Sequence, residues 1–253
     1  IIEYTHRLMS GLTLVLTGGL LAWAFRLFPK GHHARRFAAL AALFLVIEAL
    51  LGAGLVLFDY VTHNASAGRA VYMSAHLANT MVLVAMVALT AWSAAIPSRQ
   101  AVPSAAPRFL MAALPAALLI SVTGALAALG ATLFPATSFA AGLRQDFAEG
   151  SHALLRLRMI HPAAAIAGGL YVLLAAALTA KRRPAAGRWA MAVVALVLVQ
   201  LGAGVANMLL LAPVWMQIVH LLLANLVWIA LVLLVAENSV EQLSFRDQLA
   251  RVL

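Results

Sequence analysis

The sequence contains no cysteine, so disulfide bonds, thiolate metal ligands and thiol chemistry are excluded for this chain. Charged residues are also scarce: they make up 10% of 253 positions, whereas a soluble domain usually has about a quarter. Hydrophobic residues, by contrast, account for 64% of the chain. We therefore expect lipid to be the main solvent and predict an all-α integral membrane protein.

Acidic residues are the rarer charge, with eight Asp and Glu against 17 Lys and Arg and a net charge of +9. The basic residues occupy short loops between apolar runs, which is the pattern of membrane topology and not of a nucleic-acid interface. We therefore predict membrane lipid, and no nucleic acid, as a partner. An initial Met and a signal-peptide pattern are also missing, so we expect that residue 1 is not the native start.

Seven apolar runs are long enough to cross a bilayer, which takes about 20 residues. Twelve Lys and Arg fall on one side of these runs and five on the other, so the positive-inside rule places the first side and the C-terminus in the cytoplasm. We predict a multi-pass plasma-membrane protein whose tail, from Glu237, is a short surface helix. The predicted spans are Tyr4–Phe25, Phe37–Phe58, Val71–Ala95, Phe109–Leu133, Met159–Ala180, Trp189–Leu211 and Val214–Ala236.

A short motif occurs twice, as Leu51-Gly-Ala-Gly-Leu55 in the second run and Leu201-Gly-Ala-Gly-Val205 in the sixth. Runs one to three therefore match runs five to seven, and the fourth has no partner. We expect a further helix before the first run, giving eight helices in two pseudo-repeated four-helix bundles. Residues 1–100 would form the N-terminal half-bundle and residues 101–253 the C-terminal bundle.

Four of the eight histidines, His6, His76, His161 and His220, lie near the outer end of a predicted span. Ionisable groups inside spans usually face the bundle interior or a cavity. The repeat pairs His6 with His76 and His161 with His220, and two opposed imidazoles are the axial ligands of a six-coordinate haem. Each histidine alone could be an interhelical hydrogen bonder, and zinc would usually bring a carboxylate or thiolate. We predict four haem-iron ligands.

A haem with its iron at this depth would direct its propionates outward, where an arginine can pair with them. Arg156 and Arg158, just before His161, are the best candidates, and Arg7 is another. Interfacial anchoring is the alternative reading of these arginines. The glycines of the repeated motif lie at the same depth and would let a flat macrocycle approach, although ordinary helix packing explains them equally well.

The motif Glu3-x-x-His6-Arg7 and the outer stretch 145–162 resemble the haem A synthase family, and the resemblance extends over nearly the whole chain. That family oxidises a ring methyl of haem O to the formyl group of haem A. The resemblance implies an oxidoreductase in the outer half of the membrane, with haem O synthase and cytochrome oxidase assembly factors as partners. It leaves the oligomeric state open.

By the same resemblance, His161 and His220 would hold a resident haem b, and His6 and His76 would face the substrate haem O. Glu3 would be the catalytic residue. Residues three and four apart share a helix face, so Glu3 would lie beside His6 and position water or stabilise positive charge at the methyl carbon. An N-terminal acid favoured by the helix dipole is the competing explanation.

Two other functions remain open on the sequence. A bis-histidine membrane cytochrome would use the same ligands for electron transfer, but relays of this kind often place haems near opposite faces, whereas these histidines share one side. A non-catalytic haem carrier is the third reading. Glu48, inside the second run, could pair with another helix or take part in proton transfer.

Overall fold

The computed structural model describes residues 2–61, 64–95, 101–103 and 105–242. This part of the chain is almost entirely helical, with one short 3₁₀ turn at Pro184–Ala186 and two three-residue strands that pair antiparallel. The elements are α1 (Ile2–Leu27), α2 (His33–Leu57), α3 (Ala67–Ala95), β1 (Ala101–Pro103), α4 (Arg108–Met111), α5 (Ala113–Leu133), α6 (Phe139–Phe147), α7 (Ala153–Arg182), α8 (Gly187–Leu209), α9 (Val214–Asn238) and β2 (Val240–Gln242).

Seven helical segments of the described chain are long and apolar enough to cross a membrane, and they coincide with the seven predicted spans. They are α1, α2, α3, α4 with α5, α7, α8 and α9. The prediction of an all-α, multi-pass membrane protein is therefore confirmed. The division into two repeated bundles at residue 100 stays a prediction, as does the further helix.

The fourth span contains a small break at Ala112, between α4 and α5. Pro115 lies in the first turn of α5, where its missing N–H removes no intrahelical bond. Pro162 is different because it lies inside α7, directly after His161, yet α7 continues to Arg182. A bundle tolerates such a proline because its neighbours and local adjustments satisfy the freed backbone groups.

The expected surface helix from Glu237 is wrong for residues 237–242. Instead, α9 continues to Asn238, and Val240–Gln242 pairs with Ala101–Pro103. The helix extends because its polar end has partners: Trp92 Nε1 donates to Glu237 Oε2 at 3.0 Å, and Arg183 Nη1 donates to the Asn238 carbonyl at 3.2 Å. Residues 243–253 lie outside the described residues.

The core lies where α3, α5, α7, α8 and α9 meet, and it is built largely from alanine, valine and leucine. Trp228 on α9 is buried and donates its Nε1–H to the Met81 carbonyl on α3 at 2.6 Å. Large apolar side chains on the outer helix faces stay exposed, as expected where lipid replaces water. Both α1 and α2 bury a smaller share than α9 does.

The described loop residues 58–61, 64–66, 134–152 and 210–213 lie at one end of the bundle, which we call the histidine end. His76, His161 and His220 lie within three turns of helix ends that reach it. The longest of these loops contains α6, whose N-terminus is capped by Ser138 Oγ accepting from Ala141 N at 3.1 Å. His152 caps α7 in the same way by accepting from Leu154 N at 3.2 Å.

Candidate haem site

His161 on α7 and His220 on α9 face each other at the histidine end. Their ring centroids are 6.4 Å apart and their planes are nearly perpendicular, at 83°. The two rings are therefore close enough for both histidines to reach one group bound between α7 and α9.

Thr123 on α5 fixes the protonation of the His161 ring. Its hydroxyl donates to the Ile120 carbonyl at 2.8 Å and also lies 3.1 Å from His161 Nδ1. A hydroxyl has a single hydrogen, so the second contact needs a proton on Nδ1 that is donated to Thr123. This tautomer leaves Nε2 with the free lone pair that a metal requires.

The His220 ring is incompletely satisfied. Its Nε2 lies 3.3 Å from the Gln200 amide nitrogen on α8, whereas its Nδ1 and the Gln200 Oε1 are buried without a hydrogen-bond partner. Orphaned buried polar atoms are uncommon in folded proteins and each needs an explanation. An imidazole with so few partners between two spanning helices fits a ring whose partner is a bound group.

Glycines leave room beside both rings. A methyl group added to Gly124 would lie 3.0 Å from His161 Cε1, and one added to Gly204 would lie 3.2 Å from His220 Cε1. Any larger side chain would push the imidazoles out of place. The spacing, the fixed tautomer, the orphaned atoms and the glycines together fit a haem held between His161 and His220.

His76 on α3 has a different neighbour, the carboxylate of Glu48 on α2. The two atoms, His76 Nδ1 and Glu48 Oε1, are 3.3 Å apart, but their alignment falls outside hydrogen-bond geometry, and His76 Nδ1 is buried with this carboxylate beside it. A methyl group on Gly52 would lie 3.7 Å from His76 Cε1, which is ordinary contact. The His76 site is therefore looser than the pair on α7 and α9.

The repeated motif also differs in its partners. Gly204 contacts His220, but the equivalent Gly54 contacts Tyr72, and His76 lies one turn further along α3, next to Gly52. Tyr72 packs with Phe58 and Tyr60 into an aromatic cluster at the histidine end. The repeat therefore predicts the correct helices but misses the register by one turn.

His6 is exposed on α1, and neither a ring contact nor a hydrogen bond joins its side chain to His76 in the described chain. The structure therefore does not bring together the pair that the repeat predicts. Arg7 follows His6 on the same exposed segment. The backbone of Glu3 lies in the first turn of α1, but its side chain is outside the described ones.

Arg158 is held by the loop that contains α6. Its Nε donates to Asp146 Oδ1 at 2.9 Å, and its other nitrogens reach three further acceptors: Gln145 Oε1, the Phe134 carbonyl and the Gly142 carbonyl. Arg156 is exposed and has one bond, to Ser151 Oγ at 3.3 Å. For a propionate, the geometry therefore favours Arg156 over Arg158, although both stay predictions.

A groove of about 550 Å³ lies between α1, α3, α8 and α9 at the other end of the bundle. It is lined by Thr13 and Thr17 on one side and by Trp92 and Trp189 on the other. Its walls are apolar and contain none of the four predicted ligands, so it is separate from the histidine site.

These features define a multi-pass helical membrane protein with paired imidazoles near one end of the bundle. The chain belongs to the COX15-CtaA family of cytochrome oxidase assembly proteins, whose profile matches residues 1–232. The predicted membership of the haem A synthase family is thereby confirmed.

Individual relatives match over different lengths. The chain is 46% identical over 224 residues to proteins named protoheme IX farnesyltransferase from two strains of Thermus thermophilus. That match covers 87% of this chain but only 37% of those relatives' length. It is also 43% identical over 58 residues to the heme A synthase of Halalkalibacterium halodurans, covering 23% of this chain and 20% of that protein. No solved structure matches the chain.

Sequence reasoning missed the polar residues beside the histidines, Thr123 and Gln200, and left the partner of Glu48 open. Thr123 precedes Gly124, and both contact His161. A polar residue next to a glycine within an apolar run was the available signal, although it could not identify which histidine lay opposite.

Proposed function

We propose that this protein is a haem A synthase, an oxidoreductase that converts the ring methyl of haem O to the formyl group of haem A. The observation that supports this most directly is the pair of facing imidazoles, His161 and His220, in a chain of the COX15-CtaA family. The partial likeness to a heme A synthase adds to it.

In this proposal, His161 and His220 hold a resident haem b. When bound, its iron supplies the redox chemistry, and the protein supplies position and electrostatics. Thr123 presents His161 Nε2 to the metal, and Gln200 releases the His220 ring. Arg156 is exposed on α7, within two helical turns of His161, and pairs with a propionate. Arg158 holds the loop that contains α6 in place through its ion pair with Asp146.

The N-terminal histidines, His6 and His76, take the substrate haem O. The exposure of His6 on a sparsely buried helix supports a site that opens to the lipid, from which a hydrophobic substrate enters. Because α1 is helical from Ile2, Glu3 and Arg7 share one face with His6. Glu3 would act at the methyl carbon, and Arg7 would hold a propionate.

The excess of basic residues on the side away from the histidine end supports a plasma-membrane topology with the haem sites toward the outer face and the C-terminus in the cytoplasm. Family membership in cytochrome oxidase assembly supports haem O synthase and assembly factors as partners. The farnesyl transfer in the Thermus names belongs to proteins of which this chain matches only 37% of the length, so it is not part of the proposed function.

The test is haem conversion by the purified protein in nanodiscs, with extracted haems identified by mass. We expect haem B in the protein, and haem A after haem O and an electron acceptor are supplied, because oxidising the methyl to the formyl group with oxygen from water releases electrons that an acceptor must take. Glu3→Gln should stop haem A formation and keep the haem B, whereas Glu149→Gln, an exposed glutamate at the histidine end, should change neither. Haem B without any conversion would contradict the proposal and favour an electron-transfer cytochrome or a carrier.

A further inference from the structure

Glu48 is a carboxylate in the middle of the second spanning helix, α2, and its side chain is only 16% exposed. A charged group at this depth is costly unless it has partners or a function. The position that the repeated motif makes equivalent in α8 is Leu198. The bundle architecture itself therefore does not require a carboxylate here.

Three polar groups of α3 converge on this carboxylate. Asn79 Nδ2 donates to Glu48 Oε2 at 2.6 Å, and His76 Nδ1 lies 3.3 Å from Oε1. The Thr80 hydroxyl lies against the same Oε1 and also 2.9 Å from the His76 carbonyl, so its single hydrogen is shared between two acceptors. Asn79 is itself fixed by donating to the Phe44 carbonyl at 2.8 Å. The carboxyl group is thus held in place by the Asn79 amide and the Thr80 hydroxyl, with one oxygen 3.3 Å from the buried ring nitrogen.

This arrangement matches the usual support of a metal-binding histidine. Such a histidine donates its second ring N–H to a carboxylate or carbonyl, which fixes the tautomer and makes the ring a stronger donor. His76 Nδ1 is buried without a hydrogen-bond partner in the described chain, and Glu48 Oε1 is the acceptor that lies 3.3 Å from it. His161 has a neutral hydroxyl in this place.

We propose that Glu48 is a positioning residue for the substrate haem: it holds His76 in the Nδ1-protonated form, directs Nε2 to the iron, and makes His76 the most electron-donating of the histidine ligands. This inference rests on the proposed function, because it takes His76 as a ligand. A stronger donor favours the ferric state, so the haem at His76 has a lower midpoint potential than it would with a neutral partner.

The test uses haemin as the probe in nanodiscs that contain the whole chain. Haemin is added to two equivalents per protein, and the bound haem is titrated between its oxidised and reduced forms. The part of the titration that is missing in His76→Ala is assigned to the N-terminal site. We expect Glu48→Gln to change its ratio of oxidised to reduced haem about tenfold toward the reduced form, or ~59 mV for one electron. Glu48→Asp should shift the midpoint potential of this haem by less. The midpoint potential of the haem between His161 and His220 should stay unchanged in both variants.

Glu237→Gln is the matched control, since Glu237 also bridges two helices by accepting from Trp92, but at the other end of the bundle. It should leave both potentials unchanged. An unshifted N-terminal potential in Glu48→Gln, or the absence of a His76-dependent haem, would overturn the inference. A Glu48-dependent potential without haem A formation would uphold it and count against the proposed function alone.

A second measurement needs no haem and covers the case in which Glu48→Gln does not fold. In ¹⁵N NMR of the haem-free wild type, His76 should be protonated at Nδ1. Glu48→Leu, the residue found at the equivalent position in α8, should lose that preference. A wild-type His76 protonated at Nε2 would overturn the inference.

Discussion

The N-terminal and C-terminal repeats place their histidines in different surroundings. His161 and His220 face each other across 6.4 Å, between glycines and with neutral partners. His76 lies beside the Glu48 carboxylate, and His6 is exposed on another helix. The difference follows from packing: α7 and α9 border the protein core, whereas α1 and α2 bury little of their surface within the described chain. In the proposed function, the first site retains a haem and the second exchanges one.

The largest expected effect tests which site retains haem. His161→Ala or His220→Ala should abolish haem retention through purification, because each variant lacks one of the two imidazoles that would hold the haem iron. His76→Ala should keep that haem. His152→Asn is the control, since asparagine preserves the cap of α7. The haem content of the purified variants is measured from their absorption spectra. An equal loss of haem in His76→Ala and His161→Ala would contradict the distinction between the two sites.

The next effect concerns the loop over the C-terminal site. Asp146→Asn should lower the free energy of unfolding by about 3 kcal/mol, because it leaves the half-buried Arg158 guanidinium without its counter-charge. Thermal unfolding in detergent measures this. Arg156→Ala should change it little, because Arg156 is exposed and has a single bond to Ser151. Equal destabilisation by both variants would mean that the loop does not depend on the ion pair.

The smallest effect compares the space beside the rings. Gly124→Ala should weaken haem binding by about 1 kcal/mol, or roughly fivefold, because its methyl group would lie 3.0 Å from His161 Cε1. Gly52→Ala should have little effect, since the corresponding distance to His76 is 3.7 Å. Gly202→Ala, which meets nothing within 4 Å, is the control. Titration with haem measures the affinity of each variant. A larger loss of affinity in Gly52→Ala than in Gly124→Ala would contradict the comparison.

Much of the fold could be predicted because a spanning helix needs only length and apolar composition. The seven spans are confirmed for that reason, with α7 beginning at Ala153, six residues before its predicted start. The expected surface helix at Glu237 is wrong because Trp92, 145 positions away, provides a partner that no local pattern reveals.

The candidate site was predictable only in part. The repeated Leu-Gly-Ala-Gly motif lies in α2 and α8, and it paired the histidines of the helices on either side. The structure does bring His161 on α7 and His220 on α9 together. It does not join His6 to His76, and Tyr72 occupies the position beside Gly54 that the repeat would give to a ligand. Similar motifs fix which helices are neighbours, but a shift of one turn depends on the side chains between them.

The sequence alone determined that this chain spans a membrane and that four of its eight histidines lie near one end of the predicted spans, because hydrophobic length and residue position do not depend on packing. Only the tertiary structure decided their chemistry. It set the Thr123 hydroxyl against His161 and the Glu48 carboxyl group against His76. Helix rotation and register produce that difference, and they are set by how the helices pack.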